Sequence, residues 1–423
     1  MAIERDKYFD SSETVSPAER HLNLEKKLHT TVAYAYLHAP ATRAMMDKAS
    51  LKPSDIKTYT DLQKLPVTRK VDVIELQKKT PPYGGLLTIT LEDVERIFIS
   101  PGPIYEPLHS SKIKWFARAF WAAGFRKGDT VINTFTYHLS PAGMLLYEAL
   151  RHCSATVVNT GVGNTEIQIQ AMRDLKVNGY IGTPSFLMTL IKKAEESGLD
   201  FRKEYRLQKA WFTGEMLAPS VRQILENDYG IHTSQGYGVT EPGGCIAFEC
   251  ENQNGLHMMD EYVIEIIDPV TGKQLKPGEI GEIVVTPIHN KAWGLIRFGT
   301  GDLSSYTIEK CACGRTAHRL TGILGRTGEA IKVRGMFVVG KQADETIMSS
   351  GIVTRYQLVI TREGQRDTLT LKAECSGNDP GIADKINEKF QNVCRVKIDK
   401  FEFLESGNIP ENAPKINDLR KWD

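Results

Sequence analysis

Between residues 96 and 332 short β-type runs alternate with helical stretches, and this alternation restricts the fold more than any other property of the chain. Examples of the runs are Arg96-Ile-Phe-Ile-Ser100, Thr130-Val-Ile-Asn133, Ala155-Thr-Val-Val-Asn159, Gly179-Tyr-Ile-Gly182 and Lys209-Ala-Trp-Phe-Thr213. Helical patterns lie between them at 111–123, 140–152, 164–175 and 184–197. Strand, helix and strand repeated in this way predict a mainly parallel sheet covered by helices.

The flanks read differently. Up to about residue 90 the chain is helical and polar, with Ser16 as N-cap and Pro17 at the first helical position of one helix. After Gly230 come β-rich segments with tight turns, such as Val263-Ile-Glu-Ile-Ile-Asp268 and Gly281-Glu-Ile-Val-Val-Thr286, which predict a hairpin-rich, barrel-like subdomain over about 231–324. From about Gly325, the strands 357–361 and 368–372 and a helix over 379–393 fit a small domain. The expected fold class is α/β: a large N-terminal body of βαβ sheets over 1–325 with the β-rich subdomain inside it, then a small α+β C-terminal domain over 326–423.

Charge narrows the range of partners. With 53 Lys and Arg against 52 Asp and Glu, the net charge is +1, which gives no long-range attraction for nucleic acid or an anionic membrane. Any bound anion must be held by local groups. No secretory signal and no run of 18 apolar residues is seen, so the expectation is a cytoplasmic protein. Seven cysteines without an export signal predict reduced thiols or a metal site, not a disulfide framework.

Four segments carry chemistry. In Tyr237-Gly238-Val239-Thr240-Glu241 a glycine-flanked hydroxyl and carboxylate can bond a phosphate oxygen and hold Mg²⁺ against it, or Thr240 can simply cap a local helix. Asp302 follows a Gly-Thr-Gly turn, where its two oxygens could accept from both hydroxyls of a ribose, and Arg326 could reach the same region. Cys250, His257, Cys311 and Cys313 make a Cys₃His set suited to tetrahedral, structural Zn²⁺; unrelated thiols, or Cys245 as the fourth ligand, are the alternatives. The segment Ile409-Pro410-Glu411-Asn412-Ala413-Pro414-Lys415-Ile416 places one lysine in a short loop near the C-terminus.

In order, these motifs resemble the adenylate-forming (AMP-binding) family, in its phenylacetate–CoA ligase branch. Other stretches join the resemblance: Asp61-Leu-Gln-Lys-Leu-Pro-Val-Thr-Arg-Lys70, Gly182-Thr-Pro-Ser-Phe186, Phe212-Thr-Gly-Glu215, Gly255-Leu-His257, Gly325-Arg326 and Arg334-Gly335. The resemblance implies ATP-dependent activation of an aromatic, arylacetate-like acid as an acyl-adenylate, then transfer to coenzyme A. It implies that Thr240 bonds the α-phosphate, Glu241 holds Mg²⁺, Asp302 and Arg326 bind the ribose, and Gly214 and Glu215 lie against the adenine. Tyr237, Gly238, Arg334 and Gly335 complete the nucleotide site on the same ground. Tyr137 and His138 match a segment bordering the acyl pocket, with core packing and a surface histidine as the plain alternative. Lys415 becomes the lysine of adenylation, carried by a C-terminal domain that rotates about a hinge near 325–329. Structural zinc and a homodimer are further implications.

One segment departs from the family. Its phosphate loop is rich in Ser, Thr and Gly and contains a Lys, whereas this chain reads Ser100-Pro101-Gly102-Pro103-Ile104-Tyr105-Glu106-Pro107. Three prolines remove N–H donors, and Glu106 is expected to set a negative charge where the triphosphate would sit. The alternatives to a CoA ligase are therefore a repurposed or inactive AMP-binding protein, or an adenylate-former with another acyl acceptor.

Overall fold

The structure is a computed structural model describing residues 7–100, 104–110, 113–327, 330–334, 336–363, 366–376 and 381–420. Ser16 accepts from the Glu19 N–H and Pro17 opens the helix Pro17–His38, as the cap pattern predicts.

Among the described residues the body is built on a nine-stranded sheet. Strands Thr156–Asn159, Thr130–Asn133, Gly179–Gly182, Lys209–Phe212 and His232–Val239 run parallel in that spatial order. The helices Ala142–His152, Thr165–Asp174 and Pro184–Glu196 fall between consecutive strands. All four residues of Gly179–Gly182 are buried, which is why this strand reads as a continuous apolar run without alternation. The sheet continues antiparallel through Gly244–Glu249, Leu256–Met258, Arg319–Leu320 and Tyr306–Thr307.

The β-rich stretch 231–324 thus contributes to two sheets. Its remaining strands, Tyr262–Ile267, Gly281–Pro287 and Phe298–Ser304, form a five-stranded sheet with Thr68–Arg69 and Gly325–Arg326. Two local expectations change. Arg96–Ser100 is outside the parallel sheet: it pairs antiparallel with Ile104–Leu108 in a two-stranded hairpin, because a β-type run does not itself specify its partner. The helix expected over 111–123 is a 3₁₀ turn at Lys114–Phe116 followed by the helix Ala117–Ala122; residues 111 and 112 lie outside the described residues.

The C-terminal part has a core of its own. Strands Lys400–Leu404, Arg366–Cys375, Val353–Glu363 and Ile416–Asp418 form a four-stranded sheet. The helices Gly340–Ile347 and Ile382–Cys394 pack on it, around Ile347, Leu358, Leu371, Ile386 and Phe390. Fully burying each such side chain contributes roughly 1.5–3 kcal/mol, so the cluster forms a continuous apolar centre for this part. Of the expected hinge, Gly325–Arg326 is a strand of the body sheet, and Gly328 and Glu329 lie outside the described residues.

Candidate functional site

Parallel sheets bind ligands beyond the carboxyl ends of their strands. Several sequence-predicted residues gather at that edge. Tyr137 follows the strand Thr130–Asn133; its hydroxyl accepts from Asn133 Nδ2 at 2.9 Å and donates to Asn159 Oδ1 at 2.6 Å. Burial pushes its phenol well above the usual tyrosine range, so it stays a neutral donor. His138 beside it is exposed. Gly214, at φ +85°, lies against Phe135 and Thr183, and the Glu215 carboxylate accepts from the Ser185 N–H at 2.6 Å, at the start of the helix Pro184–Glu196.

The strand His232–Val239 leads into the Thr240–Glu241 turn. At Gly236 an added Cβ would overlap the Trp211 indole, so only glycine lets the strand pass this ring and present Tyr237. The Tyr237 hydroxyl donates to Asp302 Oδ2 at 2.8 Å. Burial, and then the Asp302 charge, hold that phenol well above its ordinary range. Asp302 sits after Gly301, whose φ is +76°, and directly opposite Arg326 across the strand pair, with Arg326 Nε 3.4 Å from Asp302 Oδ1. Tyr237, Asp302 and Arg326 therefore converge, although they come from separate strands.

Thr240 and Glu241 form the tip of the turn. Thr240 Oγ1 donates to Glu241 Oε2 at 3.1 Å, and Lys70 Nζ lies 2.8 Å from Glu241 Oε1. Glu241 is buried, so Lys70 supplies the compensating charge that a buried carboxylate requires. The carboxylate and hydroxyl oxygens of Glu241 and Thr240 are hard donors of the kind that Mg²⁺ takes. Lys70 was not assigned a role from sequence; it closes the stretch Asp61–Lys70, and only folding brings it to Glu241.

Glu106 corrects one expectation. It lies in the strand Ile104–Leu108 and is buried, not held out as a charge in a loop. Burial pushes its carboxyl up to about 8; the Ser100 hydroxyl and Lys70 oppose the rise and the Glu241 charge adds to it. At neutral pH Glu106 is mostly the uncharged acid. Pro101, Gly102 and Pro103 lie outside the described residues, as does Gly335.

Two further predicted residues belong to the C-terminal part. Arg334 pairs with Asp399 at 2.7 Å, and Lys415 pairs with Asp344 at 2.7 Å. Neither pair includes a member of the Tyr237–Asp302–Arg326 group.

The sulfur cluster is separate from this edge. The ligand atoms of Cys250, His257, Cys311 and Cys313 all lie within 4.8 Å of one another, and all four residues are buried. Cys250 Sγ and Cys311 Sγ are 3.7 Å apart, and Cys313 Sγ is 3.3 Å from His257 Nε2. A tetrahedral ion with Zn–S bonds of about 2.3 Å requires sulfurs about 3.8 Å apart, so the donor set fits Zn²⁺. His257 Nδ1 faces the Ala317 carbonyl at 3.2 Å, which orients Nε2 toward the sulfurs. Hydrogen bonds from Cys250, from His257 and from the Arg315 N–H draw the Cys313 thiol far below its ordinary range. Cys245 is excluded as a ligand: it is packed in the main hydrophobic core and donates to the Ala247 carbonyl.

Comparison with known proteins agrees with this geometry. Residues 108–289 match the AMP-binding enzyme family. The phenylacetate–coenzyme A ligase of Thermus thermophilus is 32% identical over 366 residues, spanning 83% of this chain and 80% of that protein. A 2-hydroxyisobutyryl-CoA ligase, solved in an open conformation with 2-HIB-AMP and CoA, superposes with a TM-score of 0.87 at 25% identity, covering 96% of this chain and 93% of that one. The same ligase in its thioesterification state gives 0.71 at 25% identity, with coverages of 97% and 92%. The identity to the Thermus enzyme across most of both sequences, together with the AMP-binding family match, places this chain in the phenylacetate–coenzyme A ligase family of AMP-binding enzymes.

Proposed function

We propose that the protein is an ATP-dependent acid–thiol ligase that converts an aromatic, arylacetate-like carboxylic acid through an acyl-adenylate to its CoA thioester. The observation that carries this reading is the convergence of Tyr237, Asp302 and Arg326 beside the Thr240–Glu241 turn. A carboxylate oxygen attacks the α-phosphorus of ATP and pyrophosphate leaves; the CoA thiol then attacks the acyl carbon and AMP leaves. Asp302 accepts from the ribose hydroxyls, Arg326 covers the sugar, and Gly214 and Glu215 lie beside the base. Thr240 bonds the α-phosphate, and Thr240 and Glu241 would hold Mg²⁺, which when bound offsets phosphate charge. Lys415 approaches the phosphate during the first step when the C-terminal part beyond Arg326 swings as a lid. Arg334 travels with it.

Tyr137 borders the acyl pocket; its bonds to Asn133 and Asn159 fix the ring, and His138 stands at the exposed rim. Catalysis of this kind rests on positioning and on neutralising phosphate charge, so the fixed hydroxyls and the guanidinium matter more than any nucleophile. The buried, neutral Glu106 supports turnover, since it adds no full charge beside the triphosphate. The Cys₃His cluster holds a structural zinc. A cytoplasmic homodimer completes the proposal; among the described residues no helix is long and apolar enough to cross a membrane.

The test is pyrophosphate release from ATP with a panel of aromatic acids, followed by mass detection of acyl-CoA after addition of coenzyme A. Turnover with an arylacetate and accumulation of its thioester is the expected result. AMP binding without pyrophosphate release identifies a repurposed homologue, and pyrophosphate without thioester identifies a different acceptor.

A further inference from the structure

Lys415 is already engaged, and its partner moves with it. Its ammonium is held bidentately by Asp344, at 2.8 Å to Oδ1 and 2.7 Å to Oδ2. Asp344 lies on the helix Gly340–Ile347 and is fixed in turn by the buried Tyr356 hydroxyl, which donates to Oδ1 at 2.7 Å. Burial and the Asp344 carboxylate keep that phenol protonated, so it remains a donor. The backbone around Lys415 is also tied down. Its carbonyl accepts from the Leu358 N–H at 2.8 Å, the Pro414 carbonyl accepts from Gln357 Nε2 at 3.0 Å, and the strand that follows, Ile416–Asp418, pairs with Val353–Glu363.

Lysine, aspartate and tyrosine therefore belong to one rigid unit built on the four-stranded sheet. Any swing that carries the ammonium toward a phosphate carries the Asp344 carboxylate along with it. Phosphate oxygens and Asp344 then compete for the same N–H groups. The chain superposes on the open form of the structural relative, at a TM-score of 0.87, better than on its thioesterification form, at 0.71.

We propose that Asp344 is a positioning residue that holds Lys415 in reserve, so that adenylation begins only when ATP outcompetes its carboxylate for the ammonium. This rests on the reading of Lys415 as the adenylation lysine. On that reading the lysine serves the first half-reaction, so Asp344 bears on that half-reaction alone. Asp344→Asn removes the charge and keeps an oxygen for Tyr356; Asp344→Glu keeps the charge.

The experiment uses the full-length protein, ATP, phenylacetate and coenzyme A. Pyrophosphate release reads the first half-reaction, and thioester formation from supplied phenylacetyl-adenylate reads the second. Asp344→Asn is expected to lower the KM for ATP about two- to fivefold, the size expected for a half-exposed ion pair, with thioester formation unchanged and Asp344→Glu near the native value. A higher KM for ATP, or equal changes in both half-reactions, overturns the proposal. A second readout does not depend on turnover. Under limiting acetic anhydride, peptide mass spectrometry should find Lys415 labelled about two- to fivefold faster in Asp344→Asn than in the native protein; equal labelling overturns the pairing. Lys415→Ala separates the two levels of the argument. Native adenylation in that variant removes the reading of Lys415 itself, whereas lost adenylation beside an inert Asp344→Asn removes the present inference alone.

Discussion

The Tyr237 hydroxyl donates to the Asp302 carboxylate across 2.8 Å, joining the strand that ends in the Thr240–Glu241 turn to the strand that carries the Gly-Thr-Gly turn. The bond sets one Asp302 oxygen and leaves its partner oxygen facing Arg326. A carboxylate held from two sides is fixed in one rotamer, so a diol of the proposed nucleotide would meet it already oriented.

Removing that carboxylate should cost nucleotide affinity. Asp302→Asn is expected to weaken AMP binding about 10- to 100-fold, the range for lost hydrogen bonds to a charged group, and Tyr237→Phe by less than tenfold because Asp302 itself remains. Calorimetric titration with AMP measures both. Equal AMP affinity in native protein and Asp302→Asn would remove Asp302 from the nucleotide site.

Gly236→Ala tests how the Tyr237 strand is set. The added methyl group meets the buried Trp211 ring, which has no exposed side to move toward, so unfolding should become easier by about 1–3 kcal/mol. Thermal denaturation would show this as a lower Tm, and an unchanged Tm would mean that the indole is displaced at no cost.

Metal removal should act at a distance. The Cys313 carbonyl accepts from the Tyr8 hydroxyl at 2.9 Å, and Arg315 pairs with Glu13 at 2.5 Å, so the sulfur cluster anchors residues 8–13. One zinc per chain is expected in purified protein by elemental analysis. Chelation should open the segment before Pro17 to proteolysis and lower the Tm; protein purified without zinc, yet equally protected, contradicts this.

Glu106 gives a pH prediction with a definite sign. Its folded carboxyl sits at about 8 against an ordinary 4.5, so the folded state keeps a proton that the unfolded state has lost. The stabilisation is complete below about 4.5, declines as pH rises, and is gone above about 8. Glu106→Gln never loses it. The difference in unfolding free energy between variant and native protein should therefore grow in favour of Glu106→Gln from pH 5 to pH 8, on the order of a few kcal/mol in total. Parallel urea titrations at several pH values check it; a pH-independent difference means the carboxyl is ionised throughout.

The sequence made the parallel strands, the Tyr237–Glu241 turn, Asp302 and the Cys₃His set legible, because each is a local pattern: an apolar run, a glycine-bounded pair of oxygen donors, a ligand spacing. What stayed hidden depends mostly on which distant segments meet. The pairing of Arg96–Ser100 with Ile104–Leu108 is local, across three residues, and the prolines in the stretch hid the hairpin; the burial of Glu106 depends on the packing around it. Lys70 and Asp344 are ordinary helical residues until tertiary packing brings them to Glu241 and Lys415. A charge read from sequence assumes water around it, and burial withdrew the water from Glu106.

Arg326 stands opposite Asp302 in the last strand that the chain gives to the five-stranded sheet before it enters the C-terminal sheet. The residue that would touch the sugar is thus also the point where the connection to the C-terminal part begins. The nucleotide proposed for Asp302 and Arg326 would therefore sit where the chain leaves the body sheet, at the last pairing that fixes the direction of its exit.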